Sequence, residues 1–145
     1  MNEIAGVIFP VPRQFVDRLL VEKRNVFVKY VARSGLSRLS VKHRVLLYVS
    51  QSSKEIVGEG IIDEIDFLTP GEALRKYGRK LFLDDHELEE YTFLQPNRDS
   101  SKKMLVLVLS KIRKYAKPKI FGKPISMSGL YLTKEEYKEL LIPNC

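Results

Sequence analysis

Between Lys111 and Pro124 the chain reads KIRKYAKPKIFGKP. This stretch holds six basic side chains, two aromatics, two prolines and no acid. Lys111, Arg113, Lys114, Lys117, Lys119 and Lys123 supply charges suited to phosphate oxygens. Tyr115 and Phe121 offer flat faces on which unpaired bases stack, unless they pack into the core instead. Pro118 and Pro124 restrict the backbone, so ordering it against a partner costs less entropy. A second basic stretch carries Lys23, Arg24, Lys29, Arg33, Arg38, Lys42 and Arg44. Lys29 shares a strand face with Phe27 and Val31 by the two-residue period, which aims it into a cleft or along an exposed strand edge. Glu59 lies between Gly58 and Gly60, where it could face a cleft and read a base edge or take a proton.

The charge distribution repeats this division. Residues 1–57 hold ten basic and four acidic side chains, residues 58–100 five and eleven, and residues 101–145 ten and three. The net charge is +7 with a pI near 9.5. Basic ends around an acidic middle suggest a polar face that attracts polyanions by long-range electrostatics. Other chemistries lack their residues. There is no GxxxxGK[ST] phosphate loop, no GxGxxG and no G-x-S-x-G elbow. His43 and His86 stand apart, and one cysteine gives no zinc spacing, so no metal or cofactor is expected. DDHELEE, at 84–90, reads as a capped, solvated helix rather than a cation site. No apolar run approaches the roughly 20 residues that span a bilayer. The single cysteine, Cys145, allows no internal disulfide, and a cytoplasmic setting is the default.

The elements that must position these residues follow from pattern. EIAGVIF reads as a first strand, stopped at Pro10. RQFVDRLLVEK places Phe15, Val16, Leu19 and Leu20 on one helical face. Strands follow at Val26–Ala32, at RVLLYVS and at the glycine-broken EIVGEGIIDEIDF, whose glycines mark a bulge or bend. Thr69, Pro70 and Glu72 form a capping box closed by Gly78, and Asp84 with Glu87 and Thr133 with Glu136 repeat the box. MLVLVLS, a run of six apolar residues, reads as a strand buried on both faces. SGLYL is a last short strand before the helix EEYKELL. Without repeats or a Gly/Ser linker, residues 1–145 are expected to form one α+β domain, a small mixed barrel of about six strands with four short helices.

The order of these elements resembles the PUA-like superfamily, and within it the ASCH-type domains. The resemblance rests on EKRNVFVKY after a helix, then VLLYVS, IVGEGIIDEIDF, the TPGEAL helix, LVLVLSKIRKY and finally SGLYLTKEEYKELL. The whole is most similar to a family of archaeal PUA-like proteins of about this length. The resemblance implies a pseudo-barrel with RNA as partner, phosphates on the basic face and a base in an adjacent cleft near Lys29, Glu59 and Tyr115. An alternative is a small amidohydrolase acting on a modified nucleoside. That chemistry needs a lysine, a threonine and a carboxylate, yet Arg24 and Phe27 stand at the first two positions, and neither supplies the group. A protein-interaction domain using the acidic 84–90 helix is a further alternative. Membrane binding is not expected, and oligomeric state is not legible.

Overall fold

The computed structural model describes residues 3–30, 38–49, 54–93, 103–121, 125 and 129–141. Six strands and four helices follow one another: β1 (Ile4–Pro10), α1 (Arg13–Leu20), β2 (Val26–Lys29), β3 (Arg44–Val49), β4 (Glu55–Leu68), α2 (Pro70–Tyr77), α3 (Asp85–Phe93), β5 (Met104–Ile120), β6 (Leu130–Thr133) and α4 (Lys134–Leu141). A short 3-10 turn, Gly78–Lys80, follows α2. The strands make one mixed sheet in the order β2-β5-β4-β3-β1-β6. Only β1 and β3 run parallel; the other neighbours are antiparallel.

The capping residues place the helices. Thr69 N–H donates to Glu72 Oε1 at 2.9 Å, and Glu72 N–H returns the bond to Thr69 Oγ1 at 3.3 Å. Thr133 and Glu136 repeat this at α4, at 3.0 and 3.1 Å. Two orphan amides are satisfied each time, so these starts are fixed by local sequence. Helix α1 stops at Leu20, short of the expected Lys23. Lys23 takes a left-handed conformation, φ 61°, and Arg24 N–H reaches back to Arg18 C=O at 3.0 Å. That is the closure glycine usually makes, here made by a lysine.

The sheet is open by hydrogen bonding but curled in space. β1 and β2 are four strand spacings apart in its order, about 19 Å if flat. Yet the rings of Phe9 and Phe27 stack with centroids 5.1 Å apart. The sheet therefore bends until its first and fifth strands meet through side chains, a barrel outline whose seam carries no ladder among the described residues. The larger core fills the inside, with Val7, Phe9, Phe27, Leu47 and Leu107. A second, smaller core lies on the outer face, where Ile8, Leu46, Ile56, Tyr115 and Leu132 pack under Tyr137 and Leu140 of α4. Adjacent residues such as Ile8 and Phe9 serve opposite cores, as strand alternation requires.

One strand is longer than its pattern. The apolar run reads as ending near Ser110, with the basic segment beyond it. In fact β5 continues through Ile120 and stays paired with β4, Arg113 opposite Glu59 and Lys119 opposite Ile56. Lys111, at φ 49°, is left-handed, and the register against β4 shifts on either side of Gly58 and Gly60. The irregularities absorb an extra twist that lets one strand serve both cores.

Two glycines set how closely the layers approach. A Cβ on Gly58 would stand 2.6 Å from Leu20 Cδ2 and 2.7 Å from Arg113 O. A Cβ on Gly6 would stand 1.8 Å from Arg44 O, across the parallel β1–β3 pairing. Gly6→Ala is expected to lose about 1–3 kcal/mol or more by overpacking against backbone, measured as a lower urea midpoint at unchanged m-value.

Candidate nucleic-acid interface

Glu59 is 1% exposed on the outer face of β4. A carboxylate buried alone would be neutralised, because leaving water penalises its charge. Four side chains prevent that. Arg44 Nη1 donates to Oε2 at 2.6 Å, while Arg113 Nη2, Tyr115 Oη and Tyr137 Oη donate to Oε1 at 3.0, 2.8 and 2.7 Å. Burial alone would raise the pKa, but bonds from Tyr137, Tyr115, Arg113 and Arg44 outweigh it and hold the carboxyl below its usual range. Both phenols are pushed the other way, first by burial and then by the Glu59 charge, so they remain protonated donors.

The donors come from three elements. Arg44 opens β3, Arg113 and Tyr115 are two residues apart on β5, and Tyr137 is on α4. Tyr137 also lies under the Arg44 guanidinium, 4.9 Å from its centroid, and Tyr115 lies 5.5 Å from Arg113. The carboxylate thus joins the two basic segments of the sequence at one point. Lys23 makes a second junction, donating from Nζ to Ile112 C=O at 3.1 Å.

The remaining expected site residues are distributed more widely. Lys111, Lys114 and Lys117 are exposed along the outer half of β5, and Lys119 is half-buried. Tyr115 is buried, so it holds Glu59 and does not offer a stacking face. Phe121 is half-buried against the outer core. Arg24 is committed to Asp84 at 2.7 Å and Glu22 at 3.3 Å, its charge answered by the acidic middle of the chain. Arg18, Asp84 and Glu87 make a related cluster that ties α1 to α3. Arg38 lies 5.4 Å from the Tyr131 centroid, and its backbone N–H donates to Tyr131 Oη at 3.0 Å. Arg33 and Lys123 lie outside the described residues.

Lys29 is nearly buried, and its Nζ lies 5.6 Å from the Phe9 centroid on the inner side of the curl. Glu59 and Tyr115 belong to the outer face, so the single cleft expected near all three residues is not formed. The reason is strand alternation: Lys29 shares the inner face with Phe27, whereas Glu59 points to the outer face with Tyr115. Among the described residues, two cavities flank the sheet instead. A cleft of about 310 Å³ opens at the seam, walled by Pro10, Pro12, Phe15, Phe27 and Phe82, with Lys29 in its lining. Phe82 stacks on Phe27 at 4.9 Å and meets Phe15 edge-on at 6.0 Å. A larger cavity of about 890 Å³ lies between the start of β1, residues 38–44 and α4. Tyr137, Lys134 and Lys138 of α4 had escaped the sequence reading; the signal was a tyrosine on the apolar face of EEYKELL, three residues before Leu140.

The sequence matches, over residues 4–134, the family described as a domain of unknown function (DUF365). The chain belongs to the DUF365 family. A similar relative is "Uncharacterized protein MJECS03" of Methanocaldococcus jannaschii, 32% identical over 112 residues, covering 68% of this DUF365 chain and 96% of the relative. The crystal structure of ASCH from Zymomonas mobilis superposes with a TM-score of 0.77 over 94% of each chain at 16% identity. The N-terminal domain of Staphylothermus marinus McrB does so with a TM-score of 0.55 over 97% of each chain at 13% identity. The fold is therefore the α+β PUA-like fold of ASCH domains, in an archaeal-related DUF365 sequence. Where ASCH-type chemistry would need a threonine, Phe27 is buried and stacked between Phe9 and Phe82. Among the described residues no helix is long and apolar enough to cross a membrane.

The Glu59 network makes stability depend on pH. A carboxyl whose pKa is lower folded than unfolded contributes fully above about 4.3, and the contribution is lost as pH falls through the folded value. Glu59→Gln is expected to lower the melting temperature at pH 7 and to flatten its decline below pH 4, as read by thermal unfolding from pH 2 to 7.

Proposed function

We propose that this protein binds nucleic acid, RNA in preference to DNA, with backbone phosphates on the outer face of β5 and a base in the seam cleft. The observation that carries the reading is the sharing of Glu59 by Arg44 and Arg113. Two basic segments that are far apart in sequence meet there, and the carboxylate that joins them is buried beneath their guanidinium groups. Arg113 leads into Lys111 and Lys117, which are exposed on the same strand, while Lys114, between Arg113 and Tyr115, is exposed on the opposite face, and Lys23 adds its charge beside Ile112. Such a row suits a phosphate backbone, which supplies most non-specific affinity.

The seam cleft supplies the second half. Its walls include aromatic rings and prolines, of a size for a single planar group, with Gln14, Lys29, Glu87 and Glu90 as the polar side chains of the lining. Flat rings for stacking, with polar side chains at the margin to meet a base edge, favour a base extruded from a single strand. The preference for RNA rests on the PUA-like fold, since positive charge attracts both polymers alike. Arg33, Arg38 and Lys123 remain proposed contacts; Arg24 contributes through its ion pairs, and Glu59 and Tyr115 position the arginines without touching the ligand.

The test is fluorescence anisotropy on single-stranded RNA, hairpin RNA and duplex DNA across a salt series. Log affinity should fall linearly with log salt, and Lys117→Ala should reduce the slope by about one while Lys114→Ala, on the opposite strand face, leaves it nearly unchanged. Phe15→Ala should weaken single-stranded RNA by about 1–3 kcal/mol, the value of one stacked base, and leave duplex DNA unaffected. Absence of binding to all three polymers at every salt concentration would overturn the reading.

A further inference from the structure

The cavity beneath α4 is chemically unlike the seam cleft. Its walls carry Arg38, Lys42, Arg44, Lys134 and Lys138 against one carboxylate, Glu3. Glu3 is itself paired with Lys134, Oε2 to Nζ at 2.6 Å. The space, about 890 Å³, exceeds what a phosphate alone would need and is within the range of small-molecule pockets. Three elements border it: the beginning of β1, residues 38–44 and α4.

Arg44 makes this more than a basic patch. Glu59 takes one bond from its Nη1, and the Tyr137 ring supports the guanidinium plane, so the side chain is held before any ligand arrives. A guanidinium carries five donors in a planar fork that matches phosphate oxygens. His43 adds a directional donor. Its Nδ1 accepts the Ser40 backbone N–H at 3.0 Å, which leaves Nε2 as the protonated nitrogen of the neutral ring. Burial, followed by Lys134 and Arg38, lowers the pKa of that imidazole, so it is uncharged at neutral pH. An arriving anion would offset Lys134, Arg38, Lys42, Arg44 and Lys138 together.

We propose that this cavity binds a terminal phosphate monoester, the dianionic end group of a nucleotide or of an RNA strand, with Arg44 as its preorganised fork. An internal phosphodiester carries one charge, whereas a monoester carries nearly two at neutral pH. Five cations, two of them already paired (Arg44 with Glu59 and Lys134 with Glu3), leave a net positive site that favours the more highly charged group. As a site for a strand end it rests on the nucleic-acid reading above; the end-group chemistry is the same for a free mononucleotide.

Isothermal titration of the full chain separates these sources, using one short RNA prepared with a 5′-phosphate and with a 5′-hydroxyl, together with adenosine 5′-monophosphate and adenosine. The 5′-phosphate is expected to raise RNA affinity by about tenfold. Lys138→Glu, at an exposed position of α4, should erase that gain and leave the 5′-hydroxyl RNA bound as before. Binding of the monophosphate but not adenosine, lost in Lys138→Glu, supports the pocket even where no RNA binds, and then only the nucleic-acid reading falls. RNA bound equally with either end, with no monophosphate binding, overturns the pocket and leaves that reading standing. No binding by any of the four probes overturns both.

Discussion

A single buried carboxylate determines how the outer face of this protein is built. Removing Glu59 from water is costly, and the cost is met only if four donors arrive together from β3, β5 and α4. Each donor is constrained in return. Tyr137 fixes the roll of α4, while Tyr115 and Arg113 fix the outer half of β5 and Arg44 fixes the entrance to β3. A network satisfied at every member specifies one arrangement, whereas a partly satisfied one would destabilise it. Two arginines that would repel one another at close range are held side by side by the negative charge between them.

The geometry around that charge depends on close backbone approach. Gly6 lies against the Arg44 carbonyl, and Gly58 lies between Leu20 and the Arg113 carbonyl. Larger residues would separate β1 from β3, or β4 from β5 and α1, and the donors would no longer converge. Glycines that weaken a strand in isolation are thus what allow its neighbours to reach the carboxylate. The same close packing bends the sheet into its curl and separates the inner core from the outer one.

Features determined by nearby residues were legible in the sequence. The capping boxes at Thr69 and Thr133 are complete within four residues, and both appear as read. The strand pattern gave the six strands, and the order of elements gave the PUA-like fold. What escaped depends on contacts distant in sequence or on unusual backbone angles. Nothing in the residue types shows that Lys111 adopts a left-handed angle and lets β5 run on to Ile120. Lys29 and Glu59 looked like partners in one cleft, but strand alternation and pairing register place them on opposite faces. The basic character of the Arg44 and Arg113 segments was plain; that they meet on one carboxylate 15 residues from the first and 54 from the second was not.

The seam between β1 and β2 has a mechanical consequence. Elsewhere the wall of the curl is stitched by backbone ladders, which yield only if many bonds break together. At the seam, the two margins meet through side chains among the described residues, Phe9 stacking on Phe27 and lying near Lys29 Nζ. Such contacts slide and re-form with less penalty than a ladder, so the wall yields more readily at this slot than along its paired strands.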